Sequence, residues 1–319
     1  MKTVVINKND AEIKIDKFLK KYMPSAPSSV IYKALRKKRV KVNKKRCDSN
    51  YILKENDVLE LYINDEFFEV TENSSDYMRV TPDLDIIYED ENIMLVNKKQ
   101  GMIVHSDDKE TFNTLINHIL SYLRNKGEYT EENENTFRPA LCNRIDRNTS
   151  GIVIAAKNAK TLKIINDKIK NNEISKYYLC IALGIFEKKS KTLKDYIVKD
   201  SDRNMVTVTK EKKNGAKEII TKYNVLKEKN NLSLVEVNLI TGRTHQIRAH
   251  LSYIGHPILG DTKYAKLSDM PVKSRKQYLC SYKIEFNFKE DSDILNYLNG
   301  KSFEIKNPSI VKDFDKFSS

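Results

Sequence analysis

Asp146 is a lone carboxylate between two arginines in the stretch Cys142-Asn143-Arg144-Ile145-Asp146-Arg147, and Thr149, Ser150 and Gly151 follow it. Small polar residues with glycine suit a tight turn, and the apolar run Ile152 to Ala156 that comes next reads as a buried strand. A carboxylate on a loop beside a rigid strand stands where catalytic groups are often carried, and it could act as nucleophile or base. The same spacing also fits an exposed ion pair with Arg144 or Arg147, of little energetic consequence. Residue types alone leave both readings open.

A second stretch able to do chemistry is Thr241-Gly242-Arg243-Thr244-His245-Gln246-Ile247-Arg248-Ala249-His250-Leu251. Gly242 and Thr244 suit a strand-to-helix turn with an N-cap, with Ile247, Leu251 and Ile254 as the buried stripe. His245 and Arg248, three apart, share another face that could point into a cleft. A helix start carrying Arg243 and His245 would attract a phosphate, and a structural arginine fits equally well. His245 and His250 have no third ligand at a telling spacing, so no metal is expected.

The elements that must position these groups are mixed. Ile86 to Glu91 and Ile93 to Lys98 read as a hairpin, and Phe112, Leu115, Ile116, Ile119, Leu120 and Leu123 mark a helix face. Residues 125–137 read as an exposed polar loop, and Leu162, Ile165 and Ile169 line another helix. Tyr177 to Gly184 is a strand of high β-propensity. Residues 189–217, rich in lysine, read as an excursion over the catalytic face. Ile219 to Leu226 and Leu232 to Leu239 are strands joined by a polar turn. His105, alone at a strand end, reads as structural.

The 319 residues carry a net charge of +13, enough length for two domains and a charge that points to a polyanion. Residues 1–64 hold 16 Lys and Arg against 7 Asp and Glu, most of that excess. There, Ile13 to Tyr22 and a helix capped by Ser28-Ser29 precede a strand, Val40 to Asn43, a basic turn, Lys44-Lys45-Arg46, and a closing strand, Val58 to Ile63. Arg36, Lys37, Lys38, Arg39, Lys41, Lys44, Lys45 and Arg46 form a concentrated patch suited to phosphates. Residues 65–82 turn acidic and lose pattern, as a linker would. The four cysteines, Cys47, Cys142, Cys180 and Cys280, are widely spaced, as reduced thiols of a cytoplasmic protein would be. No stretch is apolar enough to span a bilayer, and no leader is expected.

Several of these stretches carry a resemblance. Residues 143–151 resemble the signature H-R-L-D-R-x-T-S-G of the RluA-like RNA pseudouridine synthases, with Asn143 where the family usually has His and Ile145 where it has Leu. Asn97-Lys98, Gly101 and Val104-His105 are similar to the family's first motif, with Lys99 in place of proline. Lys176-Tyr177-Tyr178-Leu179 fits its Lys-x-Tyr-Leu, and residues 242–248 fit its Gly-Arg-x-His-Gln-Ile-Arg. Gly255 to Asp261 and Tyr264 continue the likeness. The N-terminal module resembles the small RNA-binding domain named after ribosomal protein S-four.

The resemblance implies an α+β fold: a mixed, mainly antiparallel sheet with flanking helices in residues 83–319, a linker at 65–82, and a small α/β RNA-binding domain in residues 1–64. It implies that Asp146 is the catalytic aspartate, that Arg248 pairs with it, and that Tyr178 stacks on the target base. Arg144, Arg147, Arg243 and His245 become RNA contacts beside the N-terminal patch. The reaction detaches uracil N1 from ribose, rotates the base and rejoins it through C5, so no cofactor is expected. The partner is RNA, chiefly large-subunit ribosomal RNA, either free or within an assembling particle, and the protein a cytoplasmic monomer with no membrane contact. The other readings are a transfer-RNA synthase, a non-catalytic ribosome-assembly factor, and an Mg²⁺-dependent phosphoryl-transfer hydrolase, for which no further carboxylates lie near Asp146 in sequence.

Overall fold

The computed structural model describes residues 1–68, 72–200, 205–212, 214–266, 268, 270, 274 and 276–317. The chain packs as two compact units: residues 1–83, 105–140 and 156–163 form one, and residues 84–104, 141–155 and 164–319 form the other. The architecture is α+β with mainly antiparallel sheets, as the sequence implies.

In the first unit, strands β1 (Lys2–Val5), β2 (Val40–Val42), β3 (Lys45–Arg46) and β4 (Val58–Leu61) make an antiparallel sheet in the order β1-β4-β2-β3. Helices α1 (Ile15–Tyr22) and α2 (Ser28–Arg36) bury Ile15, Phe18, Leu19, Ile31, Ala34 and Leu35 with Val40, Val42, Leu59 and Leu61 of that sheet. Strand β1 has no counterpart in the sequence reading. Pro27, rather than Ser28 or Ser29, occupies the N-cap of α2, with no side-chain cap bond; its ring fixes an extended entry that the serines were expected to supply. The expected basic turn is shorter. Asn43 and Lys44, with φ of 49° and 64°, form a two-residue hairpin loop, and Lys45 and Arg46 belong to strand β3.

Residues 65–82, read as a linker, carry 3₁₀ turns at Asp65–Phe68 and Glu72–Arg79. Tyr77 is fully buried, tilted against Tyr129 at 6.1 Å and beneath the Arg138 guanidinium at 5.2 Å. Helix α3 (Leu115–Asn125) starts at Thr114, whose hydroxyl accepts from Asn117 N at 3.3 Å, and its Ser121 donates to the Val80 carbonyl. The loop at 125–137 is not wholly exposed, because Tyr129 and Phe137 are buried. Polar bonds join it to the N-terminus: Asn7 and Asn9 donate to Glu134, while Asn135 and Thr136 donate to Asp10.

The second unit is organised on one large sheet. Its strands are β5 (Ile86–Glu89), β6 (Ile93–Lys98), β7 (Ala140–Leu141), β8 (Ser150–Ala156), β9 (Ile174–Leu183), β10 (Ser190–Asp200), β11 (Met205–Thr209), β12 (Lys217–Lys229), β13 (Leu232–Leu239), β14 (Leu279–Phe286) and β15 (Ser302–Glu304). The path runs β11-β10-β12-β13-β9-β14-β8-β6-β5, with β7 beside β8 and β15 beside β14. The β8–β14 pair is parallel. Helices α4 (Ala159–Lys170), α5 (Gln246–Tyr253) and α6 (Ser309–Phe317) flank it. Ile93, Leu95, Ile152, Ile154, Ile165, Ile284 and Phe286 form one apolar cluster.

The lysine-rich excursion is a correction: most of residues 189–217 continue the sheet as β10 and β11. The lysines hide a period of two, in which Leu193, Ile197, Val206 and Val208 are buried, and Ile197, Val206, Val208, Ile219 and Ala249 pack together. Residues 201–204 and 213 of that stretch lie outside the described residues. Asn230 and Asn231, with φ of 50° and 59°, make the β12–β13 turn in two residues rather than five. Among the described residues, no helix is long and apolar enough to cross a membrane.

Candidate active site

Asp146 lies on the loop between β7 and β8, and that loop is tied down along its length. Cys142 N donates to Ile154 O, and Asn143 Oδ1 accepts from Ile154 N, both at 2.8 Å. Thr149 N donates back to the Asp146 carbonyl at 3.0 Å, closing the turn, and Thr149 Oγ1 accepts from Gln277 Nε2 at 2.9 Å. Gly151, at φ +116°, is where β8 meets β14: a Cβ there would sit 2.2 Å from the Ser281 carbonyl oxygen. No side chain fits that approach.

Beneath the loop sits Lys98, at the end of β6 and 1 % exposed. Its ammonium donates to the carbonyls of Met102 at 2.7 Å, Lys99 at 3.0 Å and Arg147 at 3.1 Å. Gly101 N donates to the same Arg147 carbonyl at 2.8 Å. Burial pushes the Lys98 ammonium down to about 8, against the opposing pull of Asp146. An unfolded lysine keeps its ordinary value of 10.5. Below pH 8 both states are therefore protonated and the full burial penalty applies. Between pH 8 and 10.5 the unfolded chain binds more protons, so the Lys98 contribution to stability rises with pH. Unfolding by urea across this range should show wild type gaining on Lys98→Met, by at most about 1.4 kcal/mol per pH unit. Equal slopes would mean that Lys98 keeps an ordinary ionisation.

Helix α5 brings the second half of the site. Thr244 is exposed, and the N-cap position falls instead on His245, in the left-handed region at φ 53° and ψ 18°. Gln246 explains the difference. Its Oε1 accepts from Arg243 N and Thr241 Oγ1, and its Nε2 donates to Ile220 O and Thr221 Oγ1, so the glutamine organises the turn. Arg248, one turn later, is buried. Its Nη1 donates to Asp146 Oδ2 at 2.9 Å, while Nε and Nη2 donate to the two oxygens of Asp261 at 2.7 and 2.9 Å. Burial opposes the guanidinium charge, but the bonds and charge of Asp261 and Asp146 outweigh it and raise its basicity. A forked cation thus holds one fully buried carboxylate on one side and offers its remaining edge to Asp146.

Tyr264 completes the support: its ring lies 5.2 Å from the Arg248 guanidinium, and its hydroxyl bonds His245 Nδ1 at 2.9 Å and accepts from Val206 N at 3.0 Å. His245 Nε2 stands 3.8 Å from Asp146 Oδ2, beyond hydrogen-bond range. Burial lowers the imidazole, and Asp146 pulls the other way. His250 faces elsewhere, bonded to Thr221 and Asp195. Among the described residues, no group of three or more His, Cys, Asp or Glu gathers as a metal site.

Tyr178 comes from β9, in register with Val237 on one side and Ser281 on the other. Burial pushes its phenol up to about 12, and the nearby Asp146 charge adds to this. Asp146, Tyr178 and Arg248 line one cleft of about 720 Å³, together with Arg144, Arg243 and His245. That volume suits a single nucleotide-sized ligand. Arg147, by contrast, is exposed and is not a wall of this cleft; the loop uses its carbonyl. In the first unit, Arg36, Lys37, Lys38, Arg39, Lys44, Lys45 and Arg46 are exposed, whereas Lys41 is half-buried, 3.8 Å from Glu60 and 5.0 Å above the Tyr62 ring. His105 is exposed. Sequence reasoning missed Lys98 and Gln246 as supports and Asp261 as the second partner of Arg248. The only signal for Asp261 was its place beside Gly260 in the resembling stretch.

The family model described as RNA pseudouridylate synthase matches residues 92–253, and the S4 domain model matches residues 13–59. An uncharacterised RNA pseudouridine synthase of Mycoplasma capricolum is 36 % identical over 98 % of this chain and 99 % of its own. Ribosomal large subunit pseudouridine synthase C of Vibrio cholerae is 32 % identical over 81 % of this chain and 79 % of its own. Among solved structures, human RNA pseudouridylate synthase domain containing 4 superposes with a TM-score of 0.57 at 21 % identity, covering 73 % of this chain and 92 % of that one, a likeness of fold.

Proposed function

The chain belongs to the RNA pseudouridylate synthase family, and on that premise we propose a substrate and a division of labour within the cleft. It is an isomerase that binds RNA and converts uridine to pseudouridine. The substrate is large-subunit ribosomal RNA, a reading that the name of the Vibrio cholerae relative supports, met free or in an assembling particle by a monomer in the cytoplasm. Asp146 is the reacting carboxylate. Arg248 holds it in place, and Tyr178 offers its ring to a uridine drawn out of the RNA stack, an extrusion that costs a few kcal/mol. The observation that carries the assignment is the 2.9 Å contact of Arg248 with a carboxylate lining the same cleft as Tyr178.

The test is pseudouridine mapping by mass spectrometry on ribosomal and transfer RNA treated with purified protein. Conversion at discrete uridines of the large-subunit RNA is expected. Conversion in transfer RNA alone would move the substrate, and conversion only in immature particles would place the enzyme in assembly.

Arg36, Lys37, Lys38, Arg39, Lys44, Lys45 and Arg46 form the phosphate-contacting face of the S4 module, with Lys41 contributing less because Glu60 already partners it. Changing Arg36, Lys37, Arg39 and Arg46 to Gln should weaken RNA binding and flatten its salt dependence. Each lost phosphate contact removes about 0.7–0.9 from the slope of log affinity against log salt. An unchanged slope in a filter-binding series would remove the patch from the interface.

A further inference from the structure

Arg248 is committed to Asp146 and Asp261, while Arg144, Lys170, Lys199 and Arg243 stand exposed on the cleft rim. Lys176 is different. It is a half-buried wall of the cleft, two residues before Tyr178 on β9, so both side chains leave the same face of the strand. Tyr177, between them, engages Glu285 and Lys283 instead. The Lys176 ammonium lies beside the turn that leads into α5, 4.0 Å from where a Cβ on Gly242 would be. It has no hydrogen bond or ion pair to any described residue, and burial alone lowers its basicity, with no carboxylate opposing.

A cation withdrawn from water without a counter-charge is costly, and such groups are normally paired. In a cleft that receives a nucleotide of an RNA chain, the arriving anion is a phosphodiester. We propose that Lys176 is the phosphate anchor of the cleft, binding a phosphodiester that flanks the target uridine while its base lies on Tyr178. This rests on the uridine-isomerising reading of the same site. It gives Lys176 a binding role, distinct from the rim cations, which are exposed and replaceable by solvent contacts.

The experiment uses the full-length enzyme and a transcript of large-subunit ribosomal RNA that wild type converts. Lys176→Met should raise KM about ten- to hundredfold with kcat nearly kept, the scale of one charge-assisted hydrogen bond. Its log–log salt slope should fall by about 0.7, one single-strand phosphate, and Lys176→Arg should restore most of the loss. In a synthetic oligonucleotide, a neutral methylphosphonate at the anchored position should impair wild type and leave Lys176→Met no worse. Unchanged KM and salt slope in Lys176→Met, or a fall in kcat alone, would overturn the anchor while wild-type conversion keeps the reaction itself standing. Should Lys176→Met fail to fold, Lys176→Gln carries the same comparison. Absence of wild-type conversion in any RNA would overturn the reading and the anchor together.

Discussion

Asp146→Asn should abolish pseudouridine formation, lowering turnover by roughly four orders of magnitude, the scale seen when one carboxylate of a cooperating catalytic set is made an amide. The substitution is nearly isosteric, and the loop that carries it is held by bonds to backbone atoms and neighbours rather than by the carboxylate: Thr149 to the Asp146 carbonyl, Lys98 to the Arg147 carbonyl, Gln277 to Thr149. RNA affinity should therefore change little. The assay pairs mass-spectrometric conversion with equilibrium RNA binding. Retained turnover would remove Asp146 from the reacting role, whereas loss of RNA binding in parallel would show that the carboxylate also shapes the cleft.

The second large effect concerns Arg248. Replacing it by Met leaves the Asp261 side chain, which has no exposure, without its forked counter-charge, and leaves Asp146 without its 2.9 Å partner. Breaking a buried pair from one side destabilises by about 3–5 kcal/mol. Turnover should disappear as well, since Asp146 is no longer oriented. Arg248→Met combined with Asp261→Asn removes the orphaned charge. It should recover much of the stability and none of the activity, a separation that urea unfolding and the conversion assay can read together. Arg248→Lys keeps the charge but cannot reach both carboxylates with a rigid fork. A loss of roughly a hundredfold is expected, as for a small misplacement of a reacting group. Recovery of activity in the double variant would show that Asp146 needs no partner from α5.

Local chemistry is what made much of this legible from residues. Alternating and helical apolar patterns mark β6, β8, β9, β12, β13, α3 and α5, because burial on one face imposes its period on the chain. The stretches around Asp146, Tyr178 and Arg248 were singled out by residue type and by resemblance, and those three side chains line one cleft. Where local readings differed from the structure, competing local interactions account for it. Lysines on the outer face masked the alternation of β10 and β11. Gln246 took over a turn that Thr244 was expected to cap. Paired left-handed residues, Asn43-Lys44 and Asn230-Asn231, tightened two loops that read as longer.

By itself, then, the sequence determined the mix of helices and strands, the basic N-terminal module and the stretch that carries Asp146. Each of these depends on neighbours within a few residues. The tertiary structure alone decided which cation meets which anion. Arg248 reaches Asp146 across 102 positions of sequence, while Arg144 and Arg147, the nearest by count, do not provide that contact. It also decided that Lys98 gathers three carbonyls and that the Lys176 ammonium has no partner among the described residues. Charge pairing and desolvation depend on distance and burial in space, and neither is a function of separation along the chain.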